Sequence, residues 1–331
     1  MTKRVTVLMG GFSAEREVSL TSGRACADAL REAGYEVKEV DVSRDMAALI
    51  AALDPKPDVI FNALHGRWGE DGCIQGLMDM LGLRYTHSGV LASALAMNKD
   101  RTKTLAAEAG ITVPHGVVVP AQRLAGEDVL PRPYVAKPLD EGSSVGVQIV
   151  DVGDNGPALP ADSADSDDLW LVEEYIPGRE LTVSVMNGKA IAVTELRPKV
   201  GFYTYEAKYT EGKTEHIVPA QIPEKIYEEA LNAAAKVHEI LGCHGVSRSD
   251  FRYDDTKGAP GKLYFLEINT QPGMTALSLV PEQAAYKGMS FPELCAWIVE
   301  SAVSESAMSK SEMTESGIAA PEFVEPAGES A

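Results

Sequence analysis

No C-x-x-C pair occurs in the 331 residues, and the four cysteines, Cys26, Cys73, Cys243 and Cys295, are widely scattered. That spacing excludes a zinc knuckle or a disulfide framework and leaves reduced, buried thiols as the expected state. Long apolar runs are missing too. The first dozen residues carry only a short run at 5–9, less than a secretory signal needs. No stretch approaches the roughly 20 apolar residues of a membrane span, so the expected location is the cytoplasm with no membrane partner. Basic residues are scarce: 30 Lys and Arg against 49 Asp and Glu give a formal charge of -19. A nucleic-acid partner calls for a basic face, which this balance argues against; the acidic excess reads as solubility. No internal repeat is visible.

What is present is an ordinary globular composition, with 45% apolar and 24% charged residues, in a chain long enough for two or three packed lobes. Residues 4–9, 35–41 and 58–64 read as strands and 18–33 as a helix. Strand alternating with helix is the pattern of a doubly wound α/β lobe, expected at 1–98. A helix at 99–109 follows, closed by Gly110, and then short β runs at 116–119, 134–137, 145–150 and 169–174. Residues 151–168 are acidic and rich in Gly, Pro and Ser, and read as an exposed loop. Further strands are expected at 181–186, 190–196, 245–253 and 263–269, with helices at 223–241 and 290–302 and an irregular polar stretch at 199–219. Beyond about Ser304 few large apolar groups remain, and 304–331 reads as a disordered acidic tail.

Several segments carry chemistry. Lys137-Pro-Leu-Asp-Glu-Gly-Ser-Ser-Val-Gly146 lies between predicted strands. Its small residues let backbone N–H groups approach an anion, with a lysine at the entry. It is not the G-x-x-x-x-G-K-[ST] loop, and a plain hairpin turn fits as well. Glu173 and Glu180 flank a Pro-Gly turn; they suit a nucleotide's base and ribose, or simply a solvated acidic edge. Glu267 and Asn269 stand at i and i+2 of a strand and so project to one face. With Asp250 they offer hard oxygen donors of the kind that bind Mg²⁺. Arg248 precedes Asp250 by two residues, where a cation can stabilise a transferring phosphoryl group or serve as a structural partner for a carboxylate. Glu15 follows the Gly10-Gly11 turn and suits an ammonium ligand or the start of a helix. His65 ends a buried strand, and strand ends face ligands in open α/β sheets.

Taken together these segments resemble the D-alanine–D-alanine ligase family of ATP-grasp enzymes. The carrying motifs are G-G-F-S-A-E-R-E-V-S-L from Gly10, A-L-H-G-R-W-G-E-D-G from Ala63, M-N-K-D-R-T-K from Met97 and E-G-S-S-V-G from Glu141. They continue with Y-E-A-K-Y from Tyr205, R-S-D-F from Arg248 and E-I-N-T-Q-P-G-M-T-A-L-S-L-V-P from Glu267. Each alone is weak; together, in the family's order, they are specific.

The resemblance implies an α/β architecture, the doubly wound N-terminal lobe followed by a two-lobed ATP-grasp fold at 99–184 and 185–303. It implies ATP and two Mg²⁺ or Mn²⁺ ions as cofactors, D-alanine as substrate and a homodimer. Lys99 and Lys137 match the lysines on the ATP phosphates; Glu173, Glu174, Ile176, Glu180 and Lys208 match other nucleotide contacts. Asp250, Glu267 and Asn269 match the metal ligands. Glu15 and His65 match the site of the first D-alanine, and Ser278 with Leu279 that of the second. Ser143 and Tyr209 match a hydrogen-bonded pair tying the phosphate loop to a lid at 199–219, and Arg248 and the Gly273 backbone match groups around a developing oxyanion. Trp68 and His87 depart from the family pattern, standing where a smaller residue and a frequent Gly are expected. Three readings compete: a sister ligase making D-alanyl-D-lactate or D-alanyl-D-serine, a carboxylase-type or purine-pathway ATP-grasp ligase, and a non-catalytic relic.

Overall fold

A computed structural model describes residues 2–125, 127–140, 146–159, 168–198, 214–275 and 277–315, with side chains up to 304. The first sheet is parallel, in the order β2 (Glu36–Val42), β1 (Arg4–Gly10), β3 (Val59–Asn62). Five of the seven β1 residues are apolar or Gly and six are buried, as a strand covered on both faces requires. One face packs on α1 (Arg16–Glu32) through Val5, Val7, Phe61, Cys26 and Leu30. The other packs on α2 (Met46–Ala52) and α3 (Cys73–Met80) through Leu8, Val40, Ile60, Leu49, Ile74 and Met78. Helix α4 (Val90–Met97) leads out of this lobe into α5 (Lys99–Glu108). The Asn98 side chain accepts the Arg101 amide at 3.0 Å and starts α5.

The two remaining sheets are antiparallel. One has the order β4 (Gly116–Pro120), β7 (Leu169–Glu174), β5 (Tyr134–Pro138), β6 (Gln148–Val150), with the short helix α6 (Ala121–Leu124) after β4. The other runs β10 (Thr214–Ile217), β9 (Lys189–Pro198), β8 (Arg179–Met186), β11 (Val246–Asp254), β12 (Lys262–Asn269). Helix α7 (Glu224–Ile240) lays Ile226, Ala230, Ala234 and Val237 on Leu181, Val183, Phe251 and Phe265 of that sheet. Helices α8 (Leu279–Tyr286) and α9 (Phe291–Glu315) close the described chain.

The strands and long helices expected from sequence are present, with ends shifted by a few residues. Several elements were not expected. Helices α2, α3, α4, α6 and α8 span eight residues or fewer, too short for a helical period to stand out. Strand β10 falls inside the stretch expected to be irregular: Thr214, Glu215, His216 and Ile217 carry no strong β pattern and pair only at the sheet edge, with β9. Helix α9 runs past the expected end at Ala302, into residues expected to be a disordered tail. No Pro or Gly occurs between Ser304 and Glu315 to stop it. Its first turns, grouped by sequence with the C-terminal lobe, pack on the first sheet: Leu294, Ile298 and Val299 join the core around Val5, Val7 and Phe61. The Tyr35 hydroxyl donates to Glu300 at 2.7 Å.

Trp68 and His87, the two departures from the family pattern, both adopt positive φ, 72° and 71°. A smaller residue or Gly pays less for that backbone. Trp68 is held by Phe12, ring to ring at 5.9 Å, and by an Asp71 carboxylate on its amide at 2.8 Å. His87 is buried against Phe61. Burial, then the neighbouring His65, lowers its pKa to about 4, so its ring is neutral at pH 7.

Candidate active site

The first part of the site lies at the carboxyl ends of β1 and β3. Gly10 and Gly11 turn the chain at φ 81° and 77°; a side chain at Gly10 would strike the Asp41 carboxylate that pairs with Arg16 at 2.7 Å. Ser19 accepts the Gly10 amide at 2.9 Å and donates to the Ala63 carbonyl at 2.7 Å, fixing the loop against β3. Glu15 is buried at the N-cap of α1, yet its side chain does not cap the helix. Its carboxylate lies instead against Gly66, where an added Cβ would stand 3.0 Å from Oε1. His65, also buried, has Nε2 3.2 Å from the Ser22 hydroxyl and Nδ1 3.9 Å from Glu70.

The second part is a cluster of buried charge between α5 and the second sheet. Lys99 and Lys103, one turn apart on α5, and Lys137 at the end of β5 are each 6–7% exposed. Glu173 on β7 is 2% exposed. It pairs with Lys137 at 2.7 Å through Oε2 and touches Lys103 through Oε1. Gly116 on β4 leaves room for this carboxylate's stem, since a Cβ there would meet Glu173 Cγ at 3.1 Å. Lys99 reaches toward Glu267 at 3.9 Å. Burial is the chief cause that pulls Lys103 well down and Lys137 down to about 8; charge repulsion among the three lysines adds to it, and Glu267 opposes it. The carboxylate of Glu173, in contact with both Lys103 and Lys137, is the local counter-charge. Glu174 points outward and accepts the His115 amide at 3.0 Å. Ile176 is buried.

The third part is a row of side chains across β8, β11 and β12. Asp250 stands opposite Glu267 and Arg248 opposite Asn269, and directly opposed residues share a face. Thr182 of β8 donates to Asp250 at 2.7 Å. Arg248 lays a two-pronged hydrogen bond on Asp250, at 2.9 and 2.8 Å. A β-bulge makes this row possible: Phe251 pairs with Phe265 but Asp250 with Glu267, which leaves Leu266 as the extra residue. Phe265 and Ile268 go into the core while Glu267 and Asn269 stay on the open face. Glu180 is joined to Arg252 at 3.5 Å. Arg252 also donates to the Ile176 and Gly178 carbonyls at 3.1 and 2.9 Å.

Gln271 ties the parts together. Its amide donates to Asn269 at 2.7 Å, its side chain accepts from Asn62 at 2.6 Å and donates to the Leu64 carbonyl. The end of β3 is thereby held to the end of β12. Nearby, the Met274 amide donates to Ser22 at 3.4 Å. Ser278 precedes α8, accepts the Thr275 amide at 2.9 Å, and its hydroxyl lies 3.0 Å from a Cβ built on Gly273. Leu279 is buried.

The structure brings Lys99 to Glu267, Lys137 to Glu173 and Arg248 to Asp250, and sets Asp250 and Arg248 opposite Glu267 and Asn269; Glu180 pairs with Arg252, and Glu15 and His65 belong to the first sheet's end, which Gln271 ties to β12. Ser143, Lys208 and Tyr209 lie outside the described residues. Sequence reading gave no role to Lys103, Arg252, Thr182, Asn62 or Gln271. Lys103 and Gln271 sit inside quoted motifs, but spacing alone shows no partner for either. Among the described residues no group of three or more His, Cys, Asp or Glu side chains is set to hold a metal. Two facing carboxylates and an amide are the smaller set present; their hard oxygen donors beside buried lysines fit Mg²⁺ and a polyphosphate. No helix of the described residues is long and apolar enough to cross a membrane.

Comparison with known proteins identifies the family. The model "D-ala D-ala ligase C-terminus" matches residues 110–300 and "D-ala D-ala ligase N-terminus" matches 46–88. The D-alanine–D-alanine ligase of Paramagnetospirillum magneticum is 58% identical over 305 residues, 91% of this chain and 99% of its own length. That of Granulibacter bethesdensis is 55% identical over 300 residues, covering 91% and 98%. The crystal structure of the Bacillus anthracis D-alanine–D-alanine ligase complexed with ATP superposes with a TM-score of 0.76 at 28% identity, over 93% of this chain and 99% of that one. This degree of likeness places the chain in the D-alanine–D-alanine ligase family, with an ATP-grasp fold.

Proposed function

We propose that the family's reaction, the ATP-driven joining of two D-alanine molecules into D-alanyl-D-alanine for peptidoglycan synthesis, runs in the cleft lined by Glu15, the buried lysines and the Asp250–Glu267 face. The observation that supports this best is the pairing of Asp250 with Glu267 across β11 and β12, with Lys99 3.9 Å from Glu267. Cationic and anionic groups then meet at one place where a polyphosphate can lie.

The carboxylate of the first D-alanine attacks the γ-phosphorus of ATP, the bond to ADP breaks, and an acyl phosphate forms. The amine of the second D-alanine attacks the acyl carbon, sheds a proton, and inorganic phosphate leaves. Glu15 holds the ammonium of the first substrate and His65 borders its carboxyl end. Lys99 and Lys137 fix the phosphates, and Glu173, Glu174, Ile176 and Glu180 surround the nucleoside. Asp250, Glu267 and Asn269 would hold two Mg²⁺ or Mn²⁺ ions, which when bound draw off phosphate charge. Arg248, with the Gly273 amide, stabilises the oxyanion, and Ser278 with Leu279 at the start of α8 receives the second carboxylate. The lid that the resemblance implies within 199–219, with Lys208 and Tyr209 and its partner Ser143, would close over the acyl phosphate and exclude water. In lobes, the first sheet binds substrate and the two antiparallel sheets clasp ATP; the expected boundary at 184/185 falls inside β8, which belongs whole to the five-stranded sheet. A homodimer follows the family, and the need for ATP supports a cytoplasmic location.

Three results test this reading. With equal D-alanine and D-lactate near pH 7, the main product is expected to be D-alanyl-D-alanine, since Glu206-Ala-Lys-Tyr209 is the dipeptide-type lid sequence. Mass spectrometry showing mostly D-alanyl-D-lactate would move the chain to the depsipeptide ligases. Glu15→Gln is expected to weaken the first D-alanine about tenfold, the worth of one charge-assisted contact, and to spare ATP; the reverse pattern removes Glu15 from the substrate pocket. The third is a pH profile. Lys137, lowered to about 8, is charged below that pH and neutral above it, so kcat/KM for ATP should hold steady up to about 8 and fall beyond it. Lys137→Arg, charged throughout, should remove that limb, and a limb that persists unchanged in the variant belongs to another group.

A further inference from the structure

Among the described residues, Lys103 is the buried lysine beside the site that the reaction above does not use. It lies one helical turn beyond Lys99 on α5, so both project to the same face. It is as buried as its two neighbours, at 6% exposed. Its ammonium touches Glu173 Oε1, while Lys137 takes Oε2 at 2.7 Å. One carboxylate therefore has two lysines. In the buried cluster three lysines share two carboxylates, Glu173 and the nearby Glu267. A bound polyphosphate favours the charged form of all three.

The two lysines on Glu173 are not equivalent. Lys137 stands at the end of β5, where the chain enters the Gly- and Ser-rich segment expected to hold phosphate. Lys103 is in the second turn of α5, enclosed by the helix and the sheet. When Lys137 turns to the phosphates, Glu173 keeps a counter-charge only through Lys103. Without it, a 2%-exposed carboxylate would stand alone and would be driven to take up a proton or move.

We propose that Lys103 is a positioning residue of the nucleotide site: it holds Glu173 ionised and in place at the base of ATP, and so frees Lys137 for the phosphates. This rests on the reading above that Glu173 faces the base and Lys137 the phosphates. Lys103 itself touches neither.

The test is a double-mutant cycle read by steady-state kinetics with ATP, Mg²⁺ and saturating D-alanine. Lys103→Met is expected to raise KM for ATP about tenfold, the worth of a charge-assisted contact, with kcat and KM for D-alanine little changed. Lys103→Arg should restore most of the loss. In a Glu173→Gln background, adding Lys103→Met should cost almost nothing more, because no carboxylate is left to neutralise. Should Lys103→Met fail to fold, Glu173→Gln and the double variant still give the decisive comparison. A further tenfold rise in the double variant would make Lys103 a direct phosphate ligand and overturn the proposal, as would an unchanged KM for ATP in Lys103→Met. Glu173→Leu checks the reading beneath: if ATP is still preferred over GTP as in the parent, Glu173 does not face the base, whatever the cycle shows.

Discussion

Glu267→Gln is expected to lower kcat by about 10²-fold or more, the usual cost of removing charge stabilisation from a phosphoryl-transfer site. That is about 2.7 kcal/mol of transition-state free energy. The substitution keeps shape and removes only the negative charge that faces Asp250 across the strands and Lys99 at 3.9 Å. The side chain sits on the open face of β12 rather than in the core, so the melting temperature should move little. Raising Mg²⁺ should recover part of the rate if metal affinity is what was lost. Turnover near normal at saturating Mg²⁺ would remove Glu267 from the metal site.

Arg248→Met is the second large effect. The guanidinium binds Asp250 through two hydrogen bonds at 2.9 and 2.8 Å, and the alternative reading of Arg248 as a structural partner stands on that contact. If Arg248 also stabilises developing negative charge, kcat at saturating substrates should fall by about 10²- to 10³-fold. Lys should rescue only in part, because an ammonium keeps the charge but cannot reproduce the fork. A variant with normal kcat, whose defect lies entirely in metal affinity or thermal stability, would confine Arg248 to holding Asp250.

The two predictions draw on different amounts of legible sequence. Arg248 and Asp250 share a face because β11 is a regular strand, and i, i+2 spacing reveals that directly. Glu267 and Asn269 share a face for the same reason. By that same alternation, however, Leu263 and Phe265 would join them, placing two core residues and two polar ligands on one side. The bulge at Leu266 resolves the conflict, and no pattern in K-L-Y-F-L-E-I-N announces it. Glu15 reads from sequence as either a helix start or an ammonium ligand; the fold puts it at the N-cap of α1 with its carboxylate against Gly66 and no capping bond.

The amino-acid sequence by itself determined the family, the α/β class and the order of the main strands and long helices. Those are properties of local period, turn chemistry and motif order, all of which survive in one dimension. Tertiary structure decided the rest. Short helices and the edge strand β10 owe their form to what they pack or pair with, not to a period of their own. The last helix returns to the first sheet because Leu294, Ile298 and Val299 find Val5, Val7 and Phe61 there. Gln271 becomes a tie between sheets only once Asn62 is beside it. Lys103 gains a role for the same reason. Its partner, Glu173, is on another sheet's strand, and a charge shows its worth only beside the charge that the fold brings to it.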